Sequence, residues 1–349
     1  MRARVNTRRG RNHGCTERSQ IKNDKTNPSP IGLGRQFALQ QQFAPRARIS
    51  AILAAVNKRN VVVFGSRGQL GVELVREFTG RGYAVSGFDR SSVDIGDAAQ
   101  IEQTLARADP ALVLNAAAYN QVDVAENEPV PAFIANALAV RNLAMACRQL
   151  DARFVHFSTD YVFDGAAGRA YTEQDQPHPL GAYAVSKLAG ELYARAYLER
   201  PLIVRTCGVF GPGGLTTARG NFIETMLRQA AAKRPIRVVQ DHVASPTYSP
   251  LLAARTADLM ERDQHGIFHI GGGAAISWFD FAALIFRVAG LKPELQPTNE
   301  KEYRTAARRP KYSVLSNAKM ESCGIAPMPA LEKAVEMYMQ ARGSYFDKK

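Results

Sequence analysis

A doubly wound, parallel α/β sheet is the fold class this 349-residue sequence predicts, on three observations. From residue 61 onward, short apolar runs alternate with amphipathic stretches, the order expected of β–α–β units. Gly65-Ser66-Arg67-Gly68-Gln69-Leu70-Gly71 follows the first run and reads as a glycine turn joining a strand to a helix. Every crossover is helical and of ordinary length, which favours right-handed connections.

The first strand is 61–64, and the helix behind it runs from Gln69 to Thr79 with Leu70, Leu74 and Val75 at helical spacing. The second strand, 83–88, ends at Asp89, and a short helix covers 101–106. The third strand, 111–114, ends at Asn115, and a long helix spans 133–150. The fourth strand, 153–157, precedes a helix carrying Tyr183 and Lys187. A fifth strand covers 202–205 and a sixth 266–270. Past residue 208 the pattern loosens into Gly/Pro-rich loops and isolated helices, interleaved with late strands.

Composition narrows the function classes. The net charge of +13 would suit a nucleic-acid binder, but residues 1–60 hold 13 Lys/Arg against Glu17 and Asp24, a local +11. Only +2 remains for the rest, so no basic stripe that could track a phosphate backbone is expected in the folded body. Residues 1–58 read as a disordered extension or an over-long gene start, with an Arg-rich, acid-poor transit peptide and a nucleic-acid arm as alternatives. A shorter product would need a non-Met start, for which Val56 is the expected site; intact mass of the native protein tests it. No apolar run approaches the roughly 18 residues of a membrane helix. Cys15, Cys147, Cys207 and Cys323 are scattered without metal-ligand spacing, so no metal site and a reduced, cytoplasmic setting are expected.

The glycine turn carries the first piece of chemistry. Gly65 suits a tight turn, Gly68 a close backbone approach to a pyrophosphate, and Gly71 close helix–strand packing. Asp89 lies 24 residues beyond Gly65, where an acid takes adenosine ribose hydroxyls and so favours NAD. Arg90 follows at once and suits a 2′-phosphate, leaving NADP open. Asp94 and Ile95 are placed near the adenine, with a helix N-cap as the other role for Asp94. The small residues Ala116, Ala117 and Ala118, with Tyr119, let a flat cofactor lie against the third strand's exit, although tight helix packing would use the same residues.

The second piece is Tyr183 and Lys187, four residues apart and therefore on one helix face. A free tyrosine titrates near 10, and a neighbouring ammonium together with the nicotinamide cation is expected to bring it toward neutral pH. Thr159, at the fourth strand's end, can hydrogen-bond the substrate oxygen that Tyr183 protonates. Asp160 and Asp164 read as capping or orienting groups, with Asp160 also beside the cofactor. His156, His269, Trp278, Phe279, Phe281 and Phe286 read as core. The expected organisation is an NAD(P)-binding Rossmann domain at 59–208 and a mixed substrate-binding region at 209–342.

Residues 60–342 resemble the dTDP-4-dehydrorhamnose reductase family of the extended short-chain dehydrogenase/reductases. The stretches that carry the likeness are GSRGQLG, VDIGD, NAAAYNQVDVAENEP, STDYVFDG, the Tyr183/Lys187 pair, RTCGVFGPGG, GNFIETML, SPTY and RRPKYSVLS. The resemblance implies NADPH- or NADH-dependent reduction of the C4 ketone of dTDP-6-deoxy-L-lyxo-4-hexulose, a nucleotide-sugar substrate, and a homodimeric, metal-dependent assembly in some members. It implies Thr159, Tyr183 and Lys187 as the catalytic set, with Gly65, Gly68, Gln69, Leu70, Gly71, Asp89, Arg90, Asp94, Ile95, Ala117, Ala118, Tyr119 and Asp160 around the cofactor. Two departures fall on the substrate side. Gly208 stands where the family usually has a tryptophan packing by the sugar, and Gln240-Asp241-His242-Val243-Ala244-Ser245 replaces its usual Asp-Gln-x-Gly-x loop. Arg309, with Arg308 as second choice, could clamp the diphosphate, a surface charge being the alternative.

The same scaffold supports two other readings. An epimerase or dehydratase is one, but a dehydratase commonly has Asp-Glu after the active-site threonine, and here Asp160-Tyr161 follows. A non-catalytic NADP-binding subunit, of the methionine adenosyltransferase β type, is the other. The complete Thr/Tyr/Lys set argues against it.

Overall fold

The computed structural model describes residues 60–217 and 220–346; the expectations for residues 1–58 lie outside them. Six parallel strands form the main sheet, and they are the six that the apolar runs mark. They are β1 (Asn60–Phe64), β2 (Ala84–Phe88), β3 (Leu112–Asn115), β4 (Arg153–Thr159), β5 (Leu202–Thr206) and, after two short strands, β8 (Gly266–His269), in the order β2-β1-β3-β4-β5-β8. The chain runs outward from β1 to β2 and then returns past it to β3. The carboxyl ends of β1 and β3 therefore flank the switch point where such sheets bind ligands.

Side-chain alternation divides the apolar residues between the two faces. Val61, Val63, Leu114, Val155 and Val204 pack under α1 (Gln69–Gly80) and α8 (Ser249–Glu261). Val62, Phe64, Val113, Phe154 and Ile203 face the opposite side, toward α2 (Ala98–Ala108), α5 (Ala139–Gln149) and α6 (Ala182–Tyr197). The late strand β8 joins the main sheet through β5, with Ile203 opposite Ile267, so the C-terminal half of the chain completes it.

The long helix predicted at 133–150 is a composite. After α3 (Val122–Asn127) come α4 (Pro129–Phe133), a π turn at Ile134–Leu138, and α5. The cause lies at Asn136, whose side chain accepts from the Tyr119 amide at 2.9 Å and donates to the Tyr119 carbonyl at 3.0 Å. The wider turn accommodates a buried amide that an uninterrupted α-helix would carry past its partners. Contrary to the sequence expectation, Pro129–Gln149 is long and apolar enough to span a membrane, but half of it is buried in the fold. Ala137, Val140, Leu143, Ala144 and Cys147 supply that buried face, as in a core helix.

Two small sheets went unpredicted. β6 (Ile236–Val239) pairs with β10 (Leu295–Thr298) in parallel, and β7 (Val243–Ala244) pairs antiparallel with β9 (Ile276–Ser277). With α7 (Phe222–Ala231), α9 (Trp278–Val288) and α11 (Leu331–Phe346) they build a second apolar cluster around Phe210, Phe281, Ile285, Val335 and Tyr338. Helix α10 (Ala318–Ser322) contributes Met320 to the core beneath the main sheet.

Candidate active site

At the end of β1 the backbone turns at Gly65, whose φ of +75° is in the left-handed region that suits glycine. A Cβ there would lie 2.6 Å from the Ala117 amide nitrogen, and one on Gly71 would lie 2.0 Å from the Gly65 carbonyl oxygen. The turn is thus pressed against both its own helix and the exit of β3. The N-terminus of α1, capped by Gly68 without a side-chain hydrogen bond, opens beside it. Exposed amides at a helix N-terminus next to a side-chain-free turn suit a pyrophosphate. Gln69 contributes only its backbone, because its amide side chain donates to the Val209 carbonyl at 2.6 Å.

Asp89 directly follows β2 and accepts from the amide and hydroxyl of Ser91 at 2.9 and 2.6 Å, which holds its carboxyl below the usual range. Arg67, which sequence reasoning passed over, meets the same carboxylate at 2.8 Å and is otherwise exposed. Asp94 turns back on the Gly96 amide at 2.9 Å, and Asp97 is the residue that caps α2. The N-cap alternative for Asp94 is therefore corrected by three positions. Ile95 packs at the edge of the β-sheet core, while Asp94 and Arg90 face outward.

The structure brings Thr159, Tyr183 and Lys187 to one end of the sheet. Thr159 closes β4 and lies beside Thr206 of β5 in register. Its hydroxyl donates to Asp160 Oδ1 at 3.2 Å and accepts from the Tyr161 amide at 3.2 Å. The Tyr183 hydroxyl donates to Asn120 Oδ1 at 3.3 Å, and its ring meets the edge of Tyr161. One turn on, the buried Lys187 ammonium donates to the Phe157 carbonyl at 2.6 Å. Burial pushes Lys187 down to about 8, with the Glu191 carboxylate opposing the fall. Burial likewise raises the Asp160 carboxyl to about 6, against hydrogen bonds that include Ser313 Oγ at 2.5 Å. Asp160 is thus an orienting group on Thr159.

Beneath these residues lies a polar frame that sequence reasoning missed. Tyr183, Lys187 and Glu191 recur every four residues, and all are buried on the sheet-facing side of α6. Glu191 receives Arg205 of β5 in a bidentate pair at 2.9 and 2.7 Å, and the Ser158 hydroxyl at 2.5 Å. Glu126 of α3 accepts from the Ala182 amide at 2.6 Å and so caps α6, and Asn136 donates to Ser186 Oγ at 3.0 Å. Three polar residues spaced four apart and ending in an acid, opposite an arginine in a strand, were the available signal. His156 and His269 are fully buried, as expected, and burial holds both imidazoles below their ordinary range, His269 at about 3.

On the substrate side, Arg309 is paired with Asp123 at 3.0 and 2.7 Å and bonds Thr305 Oγ1 at 2.6 Å. Arg308 lines the cleft that also contains Tyr161, Gly181 and Tyr183. The structure also gathers Asp241, His242 and Glu300, whose ligand-type atoms lie within 4.8 Å of one another; Asp241 and His242 are adjacent, but the distance of Glu300 along the chain gave no cue to the group. Lys311 stands 3.5 Å from Glu300 and 4.0 Å from Asp241 and supplies local countercharge.

Comparison with known proteins places this geometry. The family model for the RmlD substrate binding domain matches residues 59–343. The chain belongs to the dTDP-4-dehydrorhamnose reductase family. It is 36% identical over 287 residues to the spore coat polysaccharide biosynthesis protein SpsK of Bacillus subtilis, covering 82% of this chain and 99% of that one. The dTDP-4-dehydrorhamnose reductase of Escherichia coli is 36% identical over 277 residues, covering 75% of this chain and 91% of that one. Among solved structures, a dTDP-4-dehydrorhamnose reductase from Bacillus anthracis in complex with NADP superposes with a TM-score of 0.77. It is 34% identical and covers 81% of this chain and 99% of that one. A Thermus thermophilus UDP-glucose 4-epimerase, 24% identical with a TM-score of 0.72, shares the fold. For the family's dinucleotide cofactor, the pressed glycine turn, the open α1 N-terminus and the Asp89/Arg67 pair form a fitting donor set.

Proposed function

We propose that this protein is the NAD(P)H-dependent reductase of dTDP-4-dehydrorhamnose, forming dTDP-L-rhamnose for nucleotide-sugar and cell-surface polysaccharide synthesis. The observation that carries the reading is the meeting of the Gly65–Gly71 cradle with Thr159, Tyr183 and Lys187 at one sheet end. Relatives of known name match across that whole body.

When bound, the dinucleotide supplies the hydride that the C4 ketone takes up. The chain's own residues do the rest. Gly65, Gly68 and Gly71 admit the pyrophosphate to backbone amides, and Asp89 takes the adenosine ribose. Arg67 and Arg90 are the cations available to a 2′-phosphate, which favours NADPH. Tyr183 delivers a proton to the C4 oxygen, and Thr159 hydrogen-bonds that oxygen by turning its single hydroxyl proton from Asp160 to it as charge develops. Lys187 keeps a positive charge on the Tyr183 face of α6. Arg308, which lines the cleft, is the cation we assign to the diphosphate, and Arg309 joins it only by exchanging Asp123 for phosphate. Sugar nucleotides and reduced dinucleotides are charged metabolites that do not cross lipid, so we place the reaction in the cytoplasm.

The test is oxidation of NADPH by the purified protein with enzymatically prepared dTDP-4-keto-6-deoxy-L-hexulose. Turnover in the wild type, and its loss in Tyr183→Phe with NADPH still bound, are the expected results. Cofactor binding without turnover in the wild type would overturn the assignment.

A further inference from the structure

Strands β6 and β10 run parallel with Val239 opposite Thr298, and the Gln240 amide donates to the Thr298 carbonyl at 2.9 Å. The two loops that follow therefore leave their strands side by side. Asp241 and Glu300, each two residues past its strand, come together there. The Glu300 amide donates to both Asp241 carboxylate oxygens, at 3.2 and 3.3 Å. His242 is the next residue, and a ring nitrogen of it lies within 4.8 Å of a carboxylate oxygen of each acid.

His242 stands where the family's Asp-Gln-x-Gly-x loop carries glutamine, so the imidazole is this chain's own. Its backbone is fixed: the carbonyl accepts from the Trp278 amide at 3.2 Å, and the following Val243 pairs with Ser277 of β9. Only 7% of the residue is exposed, and Nε2 is buried with no hydrogen-bond partner among the described residues. A buried polar nitrogen left without a partner is costly, and an imidazole beside two carboxylates is a metal-ligand set. Lys311 answers the two acids at 4.0 and 3.5 Å, beyond good hydrogen-bond length, from a side chain that is 61% exposed. An ammonium held that loosely can swing into water. Donors bound at about 2.0–2.2 Å to one tetrahedral cation stand about 3.3–3.6 Å apart, so the three groups need only a small closure. The Glu300 side chain, 41% exposed, has the room to make it.

We propose that Asp241, His242 and Glu300 bind one first-row divalent cation of the zinc class, which clips the loop after β6 to the loop after β10. One imidazole with two carboxylates suits Zn2+, Co2+ or Mn2+ better than Mg2+ or Ca2+, whose sites are built from oxygen. A remaining coordination position is left to water. All three ligands come from one chain, so no subunit contact is needed. The clip reaches the active site through backbone. The Val243 amide donates to the Lys311 carbonyl at 2.7 Å, the Ser313 amide donates to the Val243 carbonyl at 2.9 Å, and Ser313 Oγ donates to Asp160.

Chelator-treated protein is titrated with Zn2+ by calorimetry and with Co2+ by visible absorption, without NADPH or sugar. The wild type takes up one equivalent that weakens at least about tenfold in His242→Gln, which restores the family's residue, and in Glu300→Gln. Lys311→Met tightens it about tenfold, because the dication no longer meets an ammonium a few ångströms away in a water-like dielectric. Mg2+ in excess leaves it in place. If His242→Gln folds poorly, the more exposed Glu300→Gln and Lys311→Met decide the matter. No stoichiometric binding, binding that both glutamine variants keep at full strength, or a Lys311→Met that does not tighten overturns the site. Since neither cofactor nor sugar enters the readout, that failure leaves the reductase reading intact.

Discussion

Replacing Lys187 by Met separates what the active site needs from what the fold prefers. Lys187 is 2% exposed, and burial moves its ammonium from an ordinary 10.5 to about 8. At about 1.4 kcal/mol per pKa unit, holding that charge in the folded state costs about 3 kcal/mol at pH 7. The sign follows from proton counts. Between pH 8 and 10.5 the unfolded chain binds the proton and the folded chain does not, so Lys187's penalty fades as pH rises through that window. By pH 10 less than about 1 kcal/mol remains. Met fills the same volume without charge but forfeits the 2.6 Å hydrogen bond to the Phe157 carbonyl, about 1.5–3 kcal/mol for a charged donor. At pH 7 the variant should therefore match the wild type or exceed it by up to about 1.5 kcal/mol. Raising the pH to 10 should move the balance by about 2–3 kcal/mol toward the wild type. Denaturant unfolding of both proteins at pH 7 and pH 10, without cofactor, measures this directly. The groups that face Lys187, Glu191 and His156, are unchanged in the variant. A stability gap that is the same at both pH values would refute the reasoning, and so would a variant that retains turnover.

Asp160→Asn, which cannot ionise, should remove the pH dependence of kcat near 6. In the wild type, protonation of Asp160 below about 6 removes the acceptor that holds the single Thr159 proton and frees it for the C4 oxygen, so kcat should rise as pH falls through that value; a pH–rate profile checks this. Glu191→Ala leaves the Arg205 guanidinium buried without its bidentate partner and should cost about 3–5 kcal/mol in chemical denaturation. Arg67→Ala combined with Arg90→Ala should weaken NADPH about tenfold or more and NADH less, as read by KM ratios, because the 2′-phosphate loses both cations whereas the ribose loses only the Arg67 partner of Asp89.

The six main strands could be read from the sequence because each is a short run flanked by turns, and the central four, β1, β3, β4 and β5, are apolar and buried on both faces. The glycine turn that we propose as the cofactor cradle was legible for a similar reason: its geometry resides in backbone, and glycine spacing encodes backbone directly. Distant side-chain partnerships were hidden. Arg205 and Glu191 stand 14 residues apart on different elements, and Asn136 meets Tyr119 across 17 residues, so neither pair follows any local period. The strands β6 and β10 pair across nearly sixty residues, and the four-residue runs look like loop in isolation.

The most direct measurement follows one hydrogen. With NADPH deuterated at the transferable nicotinamide C4 position and dTDP-4-keto-6-deoxy-L-hexulose, NMR of the product should show deuterium on sugar C4 and the L-rhamnose configuration. Tyr183→Phe should bind NADPH equally well yet slow the transfer by about 10²–10⁴-fold. Product carrying deuterium elsewhere or not at all, or a phenylalanine variant as fast as the wild type, would contradict the assignment of hydride acceptor and proton donor.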